Sequence, residues 1–410
     1  MDRAPVIVVG AGLAGLTCAR LLQDAGIAAV VYEASDAVGG RVRTDEMDGF
    51  RLDRGFQVLL TAYPETQALL DYEALELRTF FDGALVRTEA GFERIADPFR
   101  QPGAALATVL AGVGSLADKM KVALLRQGVR SGELESVFER EEMTTANALS
   151  ERWGFSPRMI DTFFRPFLGG ILLDGDLQAS SRMFEFVFRM FSEGQAAVPA
   201  RGMQAIPEQL ADGLTVHLNT PVGSLQSGEV VLQDGTKVPV SAVVVATAAP
   251  AAARLVPEVV HTSGRRVTNL YFSAPEAPVS DPVLVLNGTG SGQVNNLAVM
   301  TNAAPEYGPG ERALVSVTVL GALSGSPQDV QDELSQWYPA AVAWQHLRTY
   351  DIEYALPEQA PPFLSPPHRA VKYADGLFVC GDHRDTASIN GAMASGRRAA
   401  EAVREFLAAR

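Results

Sequence analysis

The sequence predicts an α/β fold, α+β overall, in which a Rossmann-like nucleotide-binding domain is joined to a second domain of antiparallel sheet and helices. Three observations predict it. A strand, turn, helix and strand pattern opens the chain, a mainly helical stretch follows, and the second half carries apolar runs separated by turn residues. The chain has 410 residues, more than the roughly 250–300 at which a single core stops growing, so two domains are expected.

The opening unit spans residues 6–43. Val6 to Val9 is an apolar run closed by glycine, Leu13 to Ala25 has helical apolar spacing, and Ala29 to Tyr32 is a second apolar run. Because these spacings have the periods of strand, helix and strand, they predict that order of elements with a tight turn after the first strand.

Three glycines lie at that turn. Gly10, Gly12 and Gly15 lack side chains, which lets the backbone bend, approach a pyrophosphate and pack the helix on the strand. The phosphates would lie at the helix N-terminus, where N–H groups and the helix dipole favour anions. Glu33 ends the second strand, where its carboxylate can accept hydrogen bonds from ribose hydroxyls and would repel a 2′-phosphate. The pattern predicts a dinucleotide site; the alternative is a purely structural glycine turn.

The residues just downstream select the dinucleotide. Gly39, Gly40 and Arg41 follow at a spacing that returns the chain to the pyrophosphate, where Arg41 can offer a bidentate guanidinium. This stretch resembles the large family of FAD enzymes that includes flavin amine oxidases, protoporphyrinogen oxidases and carotene or phytoene desaturases. The resemblance implies an FAD-binding domain of glutathione-reductase type. Family members often carry arginine two residues after the acid, whereas this chain has Ser35.

A second motif, DRGFQVLLTAYP at residues 53–64, is similar to a glycine-led apolar segment of plant-type phytoene and carotene desaturases. Gln57 is its polar residue. Two interpretations stay open: Gln57 faces the flavin, or it is a strand-edge glutamine bonded to backbone. The motif favours the desaturase branch of the family.

Residues 104–191 are predicted to be mainly helical. Leu116, Met120 and Leu124 recur at i, i+4 spacing, and residues 183–191 make a helix that is apolar almost all round. Such a helix is either part of the core or the border of an apolar cavity. The density of phenylalanine in this stretch favours an apolar tunnel over a polar pocket.

Nucleotide-domain patterning returns at Arg201-Gly202-Met203 and continues into a buried apolar run at residues 243–247. By resemblance, Arg201 and Gly202 lie in a loop beside the flavin ring, and the backbone at Val222 meets the adenine. The predicted FAD-binding domain is discontinuous and comprises residues 1–75, 195–255 and 370–410, while the predicted substrate domain comprises residues 76–194 and 256–369.

The substrate domain is predicted to contain an antiparallel sheet with one helix. Apolar runs between Gly, Pro and Asn turns predict strands at residues 267–272, 283–286, 297–300, 313–320 and 347–354. The helix is expected to begin after Ser326 and to end at Trp337.

The closing stretch, residues 376–403, predicts a strand, a turn at Gly381-Asp382 and a helix from Asn390 onward. By resemblance, Asp382 binds the ribityl and phosphate region, and the helix N-terminus around Gly391 and Ala392 faces the pyrimidine end of the flavin. A helix dipole placed there stabilises negative charge on the reduced ring. The FAD-binding residues predicted from the motifs and the resemblance are Gly10, Gly12, Leu13, Ala14, Gly15, Glu33, Ala34, Gly39, Gly40, Arg41, Arg201, Gly202, Met203, Val222, Gly381, Asp382, Asn390, Gly391 and Ala392.

Composition argues against several functions. Net charge is −14 and no basic run carries interleaved aromatics, so nucleic acid is not expected as a partner. Hydrophobic residues make up 47% of the chain, yet no apolar run approaches the roughly 20 residues needed to span a bilayer. Because the first strand begins just after Met1-Asp2-Arg3, no signal peptide is expected and the interpretation is a cytoplasmic protein. Peripheral contact with a membrane stays open.

Cys18 and Cys380 are expected to be buried small residues, because one lies in the first helix, the other lies in an apolar strand, and no CxxC is present. Neither resembles an attachment site, so FAD is expected to be held non-covalently. Five scattered histidines give no metal-ligand spacing, and no metal is predicted.

The residues favour an apolar substrate over an amine. None of the four lysines falls in residues 256–302, where amine oxidases of the resembled family hold a lysine that binds a water at the flavin, and Ser388 stands where many place a cage tyrosine. An aromatic cage attracts a cationic amine through its ring faces. The leading interpretation is an FAD-dependent oxidoreductase that transfers a hydride from an isoprenoid or carotenoid-like substrate to the flavin.

Two alternatives stay open: a flavin amine oxidase with a divergent site, and a flavin-free binding protein of the GDP-dissociation-inhibitor fold. The Gly39-Gly40-Arg41 and Gly381-Asp382 motifs disfavour the second. The sequence identifies no catalytic base, and Gln57 and His383 are the only candidates near the predicted flavin. It leaves open the oligomeric state and the electron acceptor, which is oxygen, a quinone or another compound.

Overall fold

The computed structural model describes residues 4–97, 100–101, 111–260 and 263–410. In chain order the strands are β1 (Val6–Val9), β2 (Ala29–Tyr32), β3 (Thr44–Met47), β4 (Phe50–Asp53), β5 (Leu59–Leu60), β6 (Leu77–Thr79), β7 (Gly83–Thr88), β8 (Gly91–Ala96), β9 (Ala196–Pro199), β10 (Thr215–His217), β11 (Val222–Gln226), β12 (Glu229–Leu232), β13 (Lys237–Pro239), β14 (Ala242–Val245), β15 (Gly264–Ala274), β16 (Leu284–Asn287), β17 (Val294–Val299), β18 (Ala313–Leu320), β19 (Gln345–Pro357), β20 (Lys372–Ala374) and β21 (Leu377–Val379).

The longer helices are α1 (Leu13–Asp24), α2 (Pro64–Leu69), α3 (Leu116–Arg130), α4 (Arg165–Leu172), α5 (Ser181–Glu193), α6 (Ala205–Ala211), α7 (Ala249–Leu255), α8 (Pro327–Trp337) and α9 (Ile389–Ala408). Short α-helical turns lie at Ser136–Glu139, Thr145–Asn147, Pro157–Met159 and Met300–Ala303, π-helical turns at Ala148–Arg152 and Ile160–Phe164, and 3-10 turns at Pro305–Tyr307, Pro339–Ala343 and Asp382–Arg384.

A six-stranded sheet forms the nucleotide-binding part, in the order β10-β2-β1-β14-β21-β20. Its strands are parallel except for β20, and Val6 of β1 lies in register with Ala29 and Ala242. One face packs on α1 and α9, and the other packs on α7 and a small sheet of β11, β12 and β13. Strands from all three predicted FAD-domain segments meet in this sheet, and the predicted Rossmann-like fold is confirmed.

A seven-stranded sheet forms the second part, in the order β19-β15-β18-β17-β16-β7-β8. Neighbouring strands are antiparallel apart from β16 with β7. All five predicted strands lie in this sheet, and α8 covers one face with Val330, Leu334 and Trp337. The sequence does not predict β7 and β8, because charged residues interrupt their apolar alternation.

The predicted helical stretch contains α3, α4 and α5, and its residues 104–110 lie outside the described ranges. On α3, Leu116, Met120 and Leu124 are 60%, 60% and 65% exposed, because the buried face of this helix lies on the side of Val129. Among the described helices, none has the length and the hydrophobicity that a bilayer span requires.

Candidate active site

A cavity of about 1100 Å³ connects the carboxyl ends of the parallel strands with α4, α5 and β19. Open α/β sheets bind their ligands at this edge. Eleven of the predicted FAD-binding residues line the cavity: Gly10, Gly12, Leu13, Ala14, Glu33, Gly39, Gly40, Arg41, Gly381, Asp382 and Ala392. A separate groove of about 900 Å³ between residues 26–28 and the end of α9 contains none of them.

The glycine turn has the geometry that the motif predicts. Gly10 has a φ of +106°, and a Cβ added at Gly15 would lie 2.0 Å from the carbonyl oxygen of Gly10. Only glycine therefore allows α1 to approach the end of β1 so closely. Gly12 is the N-cap of α1 and has no side chain to cap it, which leaves the first-turn N–H groups available to an anion.

The Glu33 carboxylate is held in place by its neighbours. One oxygen accepts the N–H of Ala11 at 2.7 Å, and the other accepts the N–H and the hydroxyl of Ser35 at 2.8 and 2.7 Å. Because a carboxylate has about four acceptor positions, one stays available to a ribose hydroxyl. Ser35 thus orients the acid at the position where the resembled family often carries arginine.

Arg41 and Asp382 form an ion pair at the cavity, with 2.8 Å between Nη1 and Oδ2. Burial acts to lower the pKa of Arg41, but the Asp382 carboxylate outweighs it and keeps this pKa above its usual value. Asp382 Oδ1 and Thr247 Oγ1 are buried without a hydrogen-bond partner among the described residues, and both side chains line the cavity. Buried polar atoms seldom stay unsatisfied. The Asp382 oxygen therefore fits a hydroxyl group of FAD, and the Thr247 hydroxyl fits a phosphate oxygen.

The remaining predicted FAD-binding residues do not line the cavity: Gly15, Ala34, Arg201, Gly202, Met203, Val222, Asn390 and Gly391. Gly15 and Gly391 allow close packing behind the wall, since a Cβ at either would lie 2.0 Å from a backbone oxygen. The side-chain oxygen of Asn390 accepts the N–H of Glu65, and Val222 packs on the far face of the parallel sheet. Contacts between these residues and FAD stay predictions.

The loop at Gly202 and Met203 is held by a buried carboxylate that the sequence analysis did not identify. Asp53 accepts hydrogen bonds from the Thr44 hydroxyl at 2.5 Å, the Tyr307 hydroxyl at 2.8 Å and the Met203 N–H at 3.0 Å. Burial raises the pKa of Asp53 to about 6, although these three bonds oppose the shift. The network joins distant segments of the chain, so residue spacing gives no signal of it.

Gln57 lines the cavity, and its amide group donates to the carbonyls of Arg41 at 2.9 Å and Arg54 at 3.1 Å. Gln57 is thus bonded to backbone and also lies at the cavity wall, so the prediction that it faces the flavin stays open. His383 is 3% exposed and does not line the cavity, and burial lowers its pKa to about 4. Its ring packs against Gly381, where a Cβ would come within 2.6 Å of it. The lowered pKa favours the neutral imidazole, and both ring nitrogens are buried without a hydrogen-bond partner among the described residues. A catalytic role of His383 stays a prediction.

The end of the cavity away from the glycine turn is mostly apolar, and its polar lining residues are Asn296 and Thr318, beside Gly170 of α4. Its apolar lining residues are Phe56, Val58, Leu60, Tyr63, Phe167, Ile171, Leu173, Met183, Val187, Phe191, Val267, Leu284, Ile352 and Leu356. On α5 the lining residues are Met183, Val187 and Phe191, which recur every four residues along one face. Phe184 and Phe188 lie beside that face, with their ring centroids 6.1 Å apart, and do not line the cavity.

A sequence signal for the lining face of α5 was present. Arg182, Glu185 and Arg189 lie on the opposite side at about 100° per residue. There Glu185 is fully buried and accepts hydrogen bonds from Arg140 and Arg152 at 2.9 and 3.0 Å. Because these charges mark the side that packs on other helices, the side facing away from them is the cavity wall.

The rim of the cavity is polar, which the sequence does not predict. It comprises Asp45, Arg54, Arg348, Tyr350, Asp351 and Glu353. Arg54 donates to Asp45 through two nitrogens, and the Tyr350 hydroxyl donates to the same carboxylate at 2.8 Å. Arg348 lies over the Tyr350 ring at 5.3 Å. Four of these residues belong to one edge strand, β19, and no motif in the sequence marks it.

None of the four lysines lines the described cavity, in line with the absence noted in the sequence. Ser388 does line it, and its hydroxyl accepts the N–H of Gly391 at 2.9 Å as the N-cap of α9. The serine therefore has a structural task that a tyrosine would not perform. The described residues also contain no cluster of three or more histidines, cysteines or acids that could hold a metal ion.

Comparison with known proteins defines the family. The profile of the family described as "Flavin containing amine oxidoreductase" matches residues 13–404. The chain belongs to this family. Its cofactor is therefore the predicted FAD, and its predicted class, FAD-dependent oxidoreductase, is confirmed at the level of the family. Cys18 and Cys380 are both buried and absent from the cavity wall, as non-covalent binding requires of them.

Individual relatives differ in what they act on. Protoporphyrinogen oxidase 2 of Arabidopsis thaliana is 28% identical over 165 residues, which is 40% of this chain and 32% of that protein. The 15-cis-phytoene desaturase of Synechococcus elongatus is 45% identical over 60 residues, or 14% and 13% of the two chains. The matches thus span less than half of these curated relatives. Among solved structures, putrescine oxidase bound to putrescine is similar over 98% of this chain and 99% of its own, with a TM-score of 0.71 and 16% identity, which reflects the shared fold.

Proposed function

We propose that this flavoenzyme transfers a hydride from a long apolar substrate, of isoprenoid or carotenoid type, to FAD. Bound FAD supplies the redox chemistry, and the protein contributes binding, orientation and exclusion of water. The observation that carries the proposal is the apolar wall that α4 and α5 build at the end of the cavity away from the glycine turn.

A long hydrocarbon gains more from this wall than a small amine does. Each Å² of apolar surface removed from water contributes about 25 cal/mol before the costs of association. A protonated amine would instead lose hydration against side chains that offer no hydrogen bonds, such as Val187 and Phe191. The wall therefore supports selection for an extended apolar molecule.

A flavin amine oxidase with a divergent site is the second candidate, because the rim carries the carboxylates of Asp351 and Glu353. Asp351 accepts a hydrogen bond from Arg266 at 2.7 Å, which leaves Glu353 as the acid that an ammonium group would meet. Against this candidate, the chain has no lysine in residues 256–302 and has Ser388 where many amine oxidases of the family place a cage tyrosine.

Anaerobic bleaching of the flavin separates the two candidates. A long polyene or isoprenoid should reduce the bound FAD faster than benzylamine or a polyamine does. Rapid reduction by the amines, with no response to isoprenoids, would overturn the proposal and support the amine oxidase. Reoxidation of the reduced protein by air and by a quinone, compared under the same conditions, then identifies the class of electron acceptor.

A matched pair of variants tests the cavity wall itself. Val187→Thr places a hydroxyl in the wall without changing its volume. In a helix this hydroxyl can donate to the carbonyl one turn earlier, so covering it with an apolar substrate costs about 1 kcal/mol. The variant should lower kcat/KM for an apolar substrate by roughly fivefold. Val317→Thr is the control, because Val317 is fully buried in the core of the antiparallel sheet under α8. Equal losses of activity in both variants would show that the effect is one of stability.

We also propose that α3 contacts a membrane surface. Leu116, Met120 and Leu124 expose an apolar stripe, and the acid Asp118 is buried within the cap of the helix. The basic residues of this helix have partners within the protein: Lys119 and Lys121 donate to the carbonyls of Ala111 and Gly154, and Arg126 and Arg130 lie near Asp97 and Glu193. The apolar stripe therefore carries the proposal, and it suits the interface of a bilayer even though the net charge of the chain is −14. Leu124→Ser should reduce cosedimentation with phospholipid vesicles, whereas Leu218→Ser, on another exposed leucine, should not. If the wild-type protein does not sediment with the vesicles, the proposed contact is refuted.

A further inference from the structure

We propose that Gln359 is a positioning residue that fixes the FAD-side wall of the cavity to its substrate-side wall. Its side-chain NH2 donates to the carbonyl of Asp385 at 2.7 Å, and its side-chain oxygen accepts the N–H of Ala387 at 2.9 Å. Its own carbonyl accepts the N–H of Ser180 at 2.8 Å. The residue is 4% exposed, so these bonds are shielded from water.

The two segments that Gln359 joins lead into opposite walls of the cavity. Ser180 is the N-cap of α5, the helix whose Met183 and Val187 line the substrate end. Ala387 lines the cavity and is followed by Ser388, the N-cap of α9. A single residue thus links the start of α5, through its backbone carbonyl, to the loop before α9, through its side-chain amide.

Apart from Gln359, the side chains that hold the Asp385–Ala387 loop lie on its surface side. The Asp385 carboxylate binds His368 Nδ1 and Arg398 Nη2, each at 2.9 Å. These bonds hold the loop toward α9 and residue 368 but do not reach α5. Gln359 supplies the connection to α5, and a shift of this loop would move Ser388 and the amino end of α9 relative to bound FAD.

At neutral pH the arrangement requires a primary amide. The amide donates to the Asp385 carbonyl and accepts from the Ala387 N–H, in the manner of a neighbouring strand. An ionised glutamate can accept from Ala387 but offers no proton to Asp385. A leucine of similar size offers neither bond and leaves both backbone groups buried without a partner.

The test measures FAD binding to the apoprotein by quenching of flavin fluorescence, together with the midpoint potential of the bound flavin and the thermal midpoint of unfolding. Gln359→Leu should raise the FAD Kd by roughly tenfold or more, since two buried backbone groups lose their partner. It should also shift the midpoint potential and accelerate amide exchange at Ala387 and in the first turn of α9. No substrate is needed, so the outcome is independent of the proposed substrate.

Gln331→Leu is the matched control. Gln331 is 8% exposed, and its amide donates to the carbonyls of Ala341 and Trp344 at 2.8 Å, away from the cavity. Its loss should lower the thermal midpoint while FAD Kd and midpoint potential stay at wild-type values. If Gln359→Leu lowers the thermal midpoint to the same extent and also leaves Kd and potential unchanged, Gln359 has only a structural role and the proposal fails.

A second variant keeps the test decisive if Gln359→Leu does not fold. Gln359→Glu should bind FAD weakly at neutral pH and regain affinity, relative to wild type, as the pH falls, because a protonated carboxyl can again donate to Asp385 and accept from Ala387. Wild-type affinity of this variant at pH values where the glutamate is ionised would show that the donated bond is dispensable, and would overturn the proposal.

Discussion

Replacement of the buried Asp53 by asparagine should stabilise the folded protein at neutral pH. Asp53 is fully buried, and burial raises its pKa from 3.8 to about 6. At about 1.36 kcal/mol per pKa unit, keeping this carboxylate ionised in the folded protein costs about 3 kcal/mol of stability. The energy is lost in the folded state, because the unfolded chain exposes the same carboxylate to water.

The direction of the pH dependence follows from the raised pKa. The folded protein binds the Asp53 proton more tightly than the unfolded chain, so the stabilisation is complete below the unfolded pKa of 3.8 and is lost as the pH rises through 6. Asp53→Asn stays neutral throughout. Its oxygen can accept from Thr44 and Met203, and its NH2 can donate to the hydroxyl oxygen of Tyr307, so all three bonds persist with one reversed.

Guanidinium denaturation of the apoprotein, repeated from about pH 4 to about pH 8, measures the effect. The difference in the free energy of unfolding between Asp53→Asn and wild type should grow by about 2.4 kcal/mol across that range, because at pH 4 the unfolded carboxylate is already partly ionised. Asp36→Asn is the control, because Asp36 is exposed and its hydrogen bond with Arg43 lowers its pKa, which places its titration at the acid end of the range or below it. Parallel pH profiles for Asp53→Asn and wild type would refute the reasoning.

Three further outcomes test the cofactor site. Arg41→Gln should raise the FAD Kd by roughly 10–100-fold, since a hydrogen bond to a charged group contributes about 1.5–3 kcal/mol. Arg404→Gln, on the exposed side of α9, is the control and should leave the Kd from fluorescence titration unchanged. Equal Kd values for the two variants would contradict a role of the Arg41 guanidinium in FAD binding. Removal of residues 376–410 takes away β21 and α9, so the truncated protein should not retain FAD, and stoichiometric yellow cofactor after gel filtration would count against the predicted discontinuous domain. Gly15→Ala puts a methyl group 2.0 Å from the Gly10 carbonyl oxygen and should abolish FAD binding. If the purified variant shows the same flavin absorbance per protein as the wild type, this prediction is wrong.

The parts of the fold that the sequence predicts well are those set by local patterns. The first strand, turn and helix follow from a four-residue apolar run, glycines with a required spacing and a helical period, and each of these is complete within about twenty residues. Ser326 likewise begins α8 through a capping box with Asp329, two residues whose spacing is visible in the sequence. Interactions of this kind do not depend on how distant segments meet.

The parts that the sequence could not predict depend on distant segments. Asp53, Met203 and Tyr307 form one network although more than a hundred residues separate each from the next. On α5 the charges of Arg182, Glu185 and Arg189 mark one side in the sequence, but it is the tertiary fold that makes the opposite side, with Val187, a cavity wall. A pattern fixes which residues share a face, and only the tertiary fold fixes what that face meets.

The end of β19 and the residues after it contact both sides of the FAD cavity. The carbonyl of Ala355 accepts a hydrogen bond from Arg41 at 2.8 Å, and four residues later the Gln359 side chain holds the loop before α9. Residues 355–359 therefore fasten the glycine-turn side and the α9 side of the FAD cavity to the same edge strand. That strand also carries Ile352 and Leu356 in the apolar wall. Because one rigid strand contacts both regions, a substrate that displaces β19 must also move the groups that hold FAD, and substrate binding and FAD affinity are expected to be coupled through this strand.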